Sequence, residues 1–259
     1  VIAIKSKFFV TIAVIIIFIV AIFKYNQFLI NKGNLMYSES NFKKAEQYYD
    51  KVFINNLFSE ESLFNLANTK LELNKLSEGI DILNILEDKA KKAQDTDKLS
   101  LICYNKGYFY YESKDYNSAI DYFNKYISMD TQDKFAYPLA LKYIADSYFY
   151  LEKYEDSISV LNKAINFSVN NNNSLVLTSL YDRLIDCYIS QDEYDKSLEI
   201  NEKLLKLEPD NPQHYLTNFY IYRHSKGSDY ANEYLKTLIK KFPDNEKIKT
   251  FFNIFIQSS

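Results

Sequence analysis

The 259-residue chain has no tryptophan, four glycines, four prolines, two cysteines and two histidines. So few turn-forming residues argue against a β fold of many tight turns and favour long helices. Cys103 and Cys187 are 84 positions apart in helical sequence and form no CxxC pair, so buried free thiols are expected. His214 and His224 stand ten residues apart with no cysteine nearby, which is not the spacing of a zinc site. Positive charge is not in excess: 31 Lys and Arg against 34 Asp and Glu give a formal charge of -3, which argues against a general nucleic-acid binder. A P-loop, a dinucleotide fingerprint and a nucleophile motif are all missing. These absences point to a non-enzymatic protein that needs no cofactor and no metal.

Apolar and aromatic residues are plentiful, with 47% hydrophobic residues, 24 Tyr and 19 Phe. Phe8 to Phe23 form an uncharged run of sixteen, with Lys5 and Lys7 ahead of it and Lys24 behind. At about 1.5 Å per residue it spans roughly 24 Å, against a hydrocarbon core near 30 Å. Snorkelling by Lys7 and Lys24, with Phe8, Phe9, Phe23 and Tyr25 at the ends, covers the deficit. A single membrane-spanning anchor over residues 1–25 is therefore expected. A cleaved signal peptide and a buried core helix are the competing readings. The run ends Ile19-Val20-Ala21-Ile22-Phe23-Lys24 with no small-x-small pair for cleavage, and no cysteine follows closely to accept a lipid. Lysines are nearly balanced across the run, and the short leading tail tips the expected orientation toward a large domain outside the cytoplasm.

Downstream, one unit recurs. Cys103 to Tyr126 reads as two amphipathic helices with a turn at Ser113-Lys114-Asp115, and Gly107 and Ala119 are twelve residues apart, one in each helix. Small residues at these places would let the two helices approach closely. The same pair of positions recurs as Gly33 and Ala45, Ala67 and Gly79, Ala145 and Ser157, Ile185 and Ser197, and Phe219 and Ala231. An aromatic or leucine follows each turn, as Phe42, Leu76, Tyr116, Tyr154 and Tyr194, while the sixth unit has Ser228 there. Ile185 and Phe219 break the small-residue rule, so units five and six are expected to pack more loosely. Pro138, Pro209, Pro212 and Pro243 all fall between expected helices. The first small position advances by 34, 40, 38, 40 and 34 residues. A period near 34 with two helices per unit is a helical-repeat signature.

With these residues the chain resembles the tetratricopeptide-repeat (TPR) family. Unit three supplies Gly107, Tyr110, Ala119 and Phe123; unit four Leu141, Ile144, Ala145 and Tyr148; unit five Tyr181, Leu184, Tyr188 and Pro209; unit six Tyr215, Tyr222, Ala231 and Pro243. Units one and two add Leu29, Gly33, Ala45 and Tyr49, then Leu63, Leu66, Ala67 and Leu83. The resemblance implies an all-α solenoid of about six helix-turn-helix repeats over residues 26–244. Residues 245–259, with Ile248, Phe251, Phe252 and Phe255 on one face, are expected to form a C-terminal capping helix.

The resemblance also implies that the first helix of each repeat lines a concave groove that binds a protein or peptide. By register, the groove positions are Asn31, Asn34, Asn65, Asn68, Tyr104, Asn105, Tyr108, Tyr111, Lys142, Asp146, Arg183 and Arg223, with Asp182 and Asp186 beside them. Asparagines can hold a peptide backbone through paired donors and acceptors, and tyrosines give rigid contact area. The carboxylate clamp of some family members is lacking, because its cation places hold Ile30, Leu101 and Asn105. Ion pairs of Lys142 and Arg183 with the neighbouring aspartates are the bland outcome to expect. The expected function is a membrane-anchored adaptor. The alternative is an assembly component that uses its convex face or its C-terminal helix.

Overall fold

The computed structural model describes the backbone of residues 2–54, 59–129, 133, 135–173 and 175–257, and the side chains of those from residue 11 onward except 53, 54 and 257. Among the described residues there are thirteen α-helices and no strand. They are α1 (Ile2–Ser38), α2 (Phe42–Ile54), α3 (Glu60–Glu72), α4 (Leu76–Ala93), α5 (Thr96–Glu112), α6 (Tyr116–Ser128) and α7 (Ala136–Tyr150). Then follow α8 (Tyr154–Asn170), α9 (Leu177–Ser190), α10 (Tyr194–Leu207), α11 (Pro212–Ser225), α12 (Ser228–Lys241) and α13 (Glu246–Phe252), closed by a π-helical turn over Asn253–Gln257. The fold is a TPR-like solenoid of helix hairpins, as the repeat spacing implies.

The chain forms two compact units, Val1–Ser118 and Ala119–Ser259. In the first, α1 packs on α2, α2 on α3, α3 on α4 and α4 on α5. In the second, each helix from α7 to α13 packs on the next, and α7 also touches α9. Nearest-neighbour packing of this kind is what a repeat array requires, since no single hairpin can bury its own apolar face.

Five of the hairpin turns share one geometry. Ser40, Asn74, Lys114, Glu152 and Asp192 have φ between 55° and 62°, and they advance by the same 34, 40, 38 and 40 residues as the repeat. The next amide reaches back five residues, as in Asn41 to the Met36 carbonyl (2.8 Å) and Lys153 to the Tyr148 carbonyl (2.9 Å), which caps the preceding helix. The residue after that amide opens the second helix, and it is Phe42, Leu76, Tyr116, Tyr154 or Tyr194. Three of these rings pack edge-on against a ring on the first helix: Tyr37 with Phe42, Tyr111 with Tyr116 and Phe149 with Tyr154. The sixth hairpin turns instead through Gly227 at φ 90°, ahead of Ser228.

Gly33 and Gly79 make room for side chains rather than only for a close helix approach. A Cβ built on Gly33 would lie 2.5 Å from the Tyr49 ring, and one on Gly79 would overlap the Phe109 ring. Each glycine is thus a seat for a buried aromatic from a neighbouring helix. Ser157 keeps a close approach, its hydroxyl donating to the Ala145 carbonyl at 2.8 Å. Ile185 and Phe219, which break the small-residue rule, are each 2% exposed and do not loosen the packing. Phe219 is covered by Phe251 and Phe255 of the C-terminal segment, at centroid distances of 6.0 and 5.4 Å.

Charged groups tie repeats together inside each unit. The Lys70 ammonium, 6% exposed, donates to Glu46 on α2 and Glu78 on α4, both at 2.6 Å. Burial opposes the charge on Lys70, but these carboxylates outweigh it and raise its pKa. Lys106, 1% exposed, meets Glu87 at 2.5 Å. Neither contact was visible in the sequence, because residues 24 and 19 positions apart meet only once the hairpins stack.

Candidate binding groove

The groove positions of the sequence map fall into separate environments. In the first unit, Asn34, Tyr37, Tyr49, Asn65 and Asn68 line a cavity of about 170 Å³. The Asn34 carbonyl oxygen accepts the Tyr49 hydroxyl at 2.5 Å and the Asn65 amide at 3.0 Å. Burial pushes the Tyr49 phenol up to about 12, so it stays protonated and donating. Asn31 lies apart, exposed, accepting from Gln27 at 3.2 Å. On α5, Tyr104, Asn105, Tyr108 and Tyr111 are half-buried, and the Asn105 amide donates to its own helix at the Leu101 carbonyl, 2.7 Å away. One N–H of the Asn105 amide is therefore already engaged by its own helix.

In the second unit, the charged map positions converge. Asp146 is 1% exposed and both its oxygens are taken, one by Lys142 and one by the Arg183 Nε, each at 2.6 Å. A second Arg183 nitrogen reaches Asp186 at 3.2 Å, and the guanidinium stacks over Phe149 at 4.4 Å. This is the intramolecular pairing expected of these residues. It fixes Arg183 as part of the wall. Arg223 is drawn elsewhere, its guanidinium 4.5 Å above the Phe255 ring.

Beside this network lies a cleft of about 670 Å³. Its walls come from α7, α9 and α11, the first helices of repeats four to six, and from α13. Ile185, Ile189, Leu216 and Phe251 supply apolar surface, Tyr220 an exposed ring, and Asp182 and Asp186 two carboxylates. The two aspartates are one turn apart on α9, where like charges repel. Crowding by the surrounding helices raises both carboxyls, and Asp182 further raises Asp186. Lys247 stands on the α13 side with its ammonium on the Gln213 carbonyl oxygen at 2.5 Å.

Ile189, Gln213, Thr217, Lys247 and Phe251 were missed by the sequence map. Phe251 is legible as a cap residue, and the 3.6-residue periodicity after Pro243 is its signal. That α13 also closes one side of the cleft has no local signal.

Among curated protein sequences, none matches this chain. The family profile "Tetratricopeptide repeat" matches residues 101–133. Solved structures share the fold at low identity. The apo form of RapI superposes with a TM-score of 0.67 at 13% identity, over 82% of this chain and 64% of that one. A signal transduction ATPase with a tetratricopeptide repeat sensor, from Pyrococcus horikoshii, gives 0.67 at 18% identity over 84% of this chain and 36% of its own. This chain therefore spans less than two thirds of either of those proteins. A tetratricopeptide repeat protein from Parabacteroides merdae gives 0.56 at 16% identity, over 89% and 84%. Residues 101–133 thus match a tetratricopeptide repeat, and the described residues form an all-α array of helix hairpins with a TPR-like fold.

Proposed function

We propose that the chain is a membrane-held scaffold that binds an extended segment of a partner protein in the cleft between α7, α9, α11 and α13. The observation that carries this reading is the cleft itself. It has apolar walls, an exposed Tyr220, and two carboxylates on one helix face, of which Asp182 has no ion pair among the described residues. Repelling charges kept at an open cleft cost stability in the free protein and are relieved by a cation, so a basic side chain of the partner fits between Asp182 and Asp186. Asn34, Asn65 and Asn68 offer a smaller, neutral amide site in the first unit.

In this reading residues 1–25 form the anchor, 26–244 the repeats and 245–259 the cap, with the repeats on the extracytoplasmic side. One N-terminal helix is long and apolar enough to cross a membrane: Thr11–Ser38 has a mean hydropathy of 2.2 and a window only 11% buried. So little burial disfavours a core helix of this chain. Protease added to sealed and to opened vesicles tests the side.

A photo-crosslinker at Thr217 in the full chain tests the cleft. A partner captured by the native chain is expected to be lost in Asp182→Lys with Asp186→Lys and kept in Asn105→Ala with Tyr108→Ala. Retention by the lysine variant sinks the cleft. The alternative, assembly through the C-terminal helix, is weakened because Phe251, Phe252, Phe255 and Ile256 turn inward onto Leu216, Phe219 and Leu235.

A further inference from the structure

α1 does not stop where the apolar run stops. It is helical from Ile2 to Ser38, with no proline, no glycine before Gly33 and no residue at positive φ before Ser40. None of the usual causes of a sharp kink is present between Phe23 and Gly33. The run closes at Phe23, and Asn26 is already 4% exposed. Leu29 and Ile30 follow, buried against Val52 and Tyr48 of α2.

Distances along the helix make this close spacing informative. From Phe23 to Asn26 the axis rises about 4.5 Å, and to Leu29 about 9 Å. The headgroup layer on one side of a bilayer is roughly 5–8 Å thick. A helix whose apolar run fills the hydrocarbon therefore brings repeat one to the headgroups with no length left for a tether. α2 runs back along α1, so Lys51, beside Val52, stands at the level of Leu29 and Ile30. Lys24, Phe28 and Lys32 fall four residues apart on one stripe of α1, and the Lys32 ammonium is 5.8 Å from the Phe28 ring. Phe23, Tyr25 and Phe28 are 70%, 54% and 51% exposed. Aromatics interleaved with lysines are the composition that settles at a lipid interface.

We propose that repeat one is seated on the membrane surface as a rigid continuation of α1, with Lys24, Tyr25, Phe28 and Lys51 against lipid headgroups. The first repeat is then held at one attitude to the bilayer instead of swinging on a linker. This rests on the reading that α1 spans the membrane.

The test uses the full chain with Cys103→Ala and Cys187→Ala, reconstituted in phosphatidylcholine and phosphatidylglycerol vesicles carrying a headgroup nitroxide. A fluorophore is placed at Lys51→Cys or at Ser40→Cys, beyond the far end of α1, which is about 22 Å above Phe23 by helical rise. Several-fold stronger quenching at position 51 than at position 40 is expected. A flexible Gly-Ser linker inserted between Tyr25 and Asn26 is expected to erase the difference while the chain still floats with the vesicles. Equal or absent quenching at both positions in a floating chain, or a difference that survives the linker, overturns rigid seating alone. A chain that does not float overturns the spanning reading and this proposal with it.

Discussion

Asp146 and Asp182 show how residues of one type on neighbouring helices come to opposite roles. Asp146 is buried with both oxygens bonded, so Asp146→Asn leaves Lys142 without its carboxylate and Arg183 with Asp186 alone. Its loss is expected to cost about 3 kcal/mol in urea unfolding. Asp182 is exposed and repelled by its neighbour, so Asp182→Asn is expected to change stability by less than about 0.5 kcal/mol, on the stabilising side. Glu208 adds a pH dependence. Bonds from Asn211, Thr178 and His214 hold its carboxyl down at about 2, below the ordinary 4.5. A depressed carboxyl stabilises the fold above its unfolded pKa, and that contribution is lost as pH falls from about 4.5 toward 2. Glu208→Gln is therefore expected to flatten the pH dependence of the melting temperature in that window, measured by circular dichroism.

At the scale of the element, helix order, hairpin turns and the residue opening each second helix were all legible in the sequence, because local periodicity and turn chemistry set them. The left-handed residue in each turn was not, since Ser40, Asn74, Lys114, Glu152 and Asp192 share no side-chain type. A non-glycine there costs about 1–2 kcal/mol, partly offset by the entropy that glycine would lose. Glu152→Gly is thus expected to stabilise by about 0.5–1 kcal/mol in urea unfolding. α13 is expected to be integral to the second unit: Ile248 is fully buried, so Ile248→Ala should destabilise by about 2–4 kcal/mol, read by thermal unfolding.

Across the whole molecule, the described part of the apolar run in α1, from Thr11 onward, is left largely exposed by the described residues, while the second half of the helix is built into repeat one. A charge in mid-run opposes insertion by about 2.5–3.5 kcal/mol. Ile16→Asp is therefore expected to shift the chain from the floating to the soluble fraction in vesicle flotation without loss of helicity. The sequence alone determined the all-α class, the repeat period, the apolar run and the small positions, because each is a local pattern with a fixed spacing along the chain. The tertiary structure decided what those positions face. Gly33 and Gly79 seat rings that arrive from helices 16 and 30 residues away. Asp146 joins Arg183 across 37 residues, and α13 walls a cleft whose other sides begin at Phe149. Such contacts follow from how hairpins stack and twist on one another, and no spacing within a single hairpin encodes them.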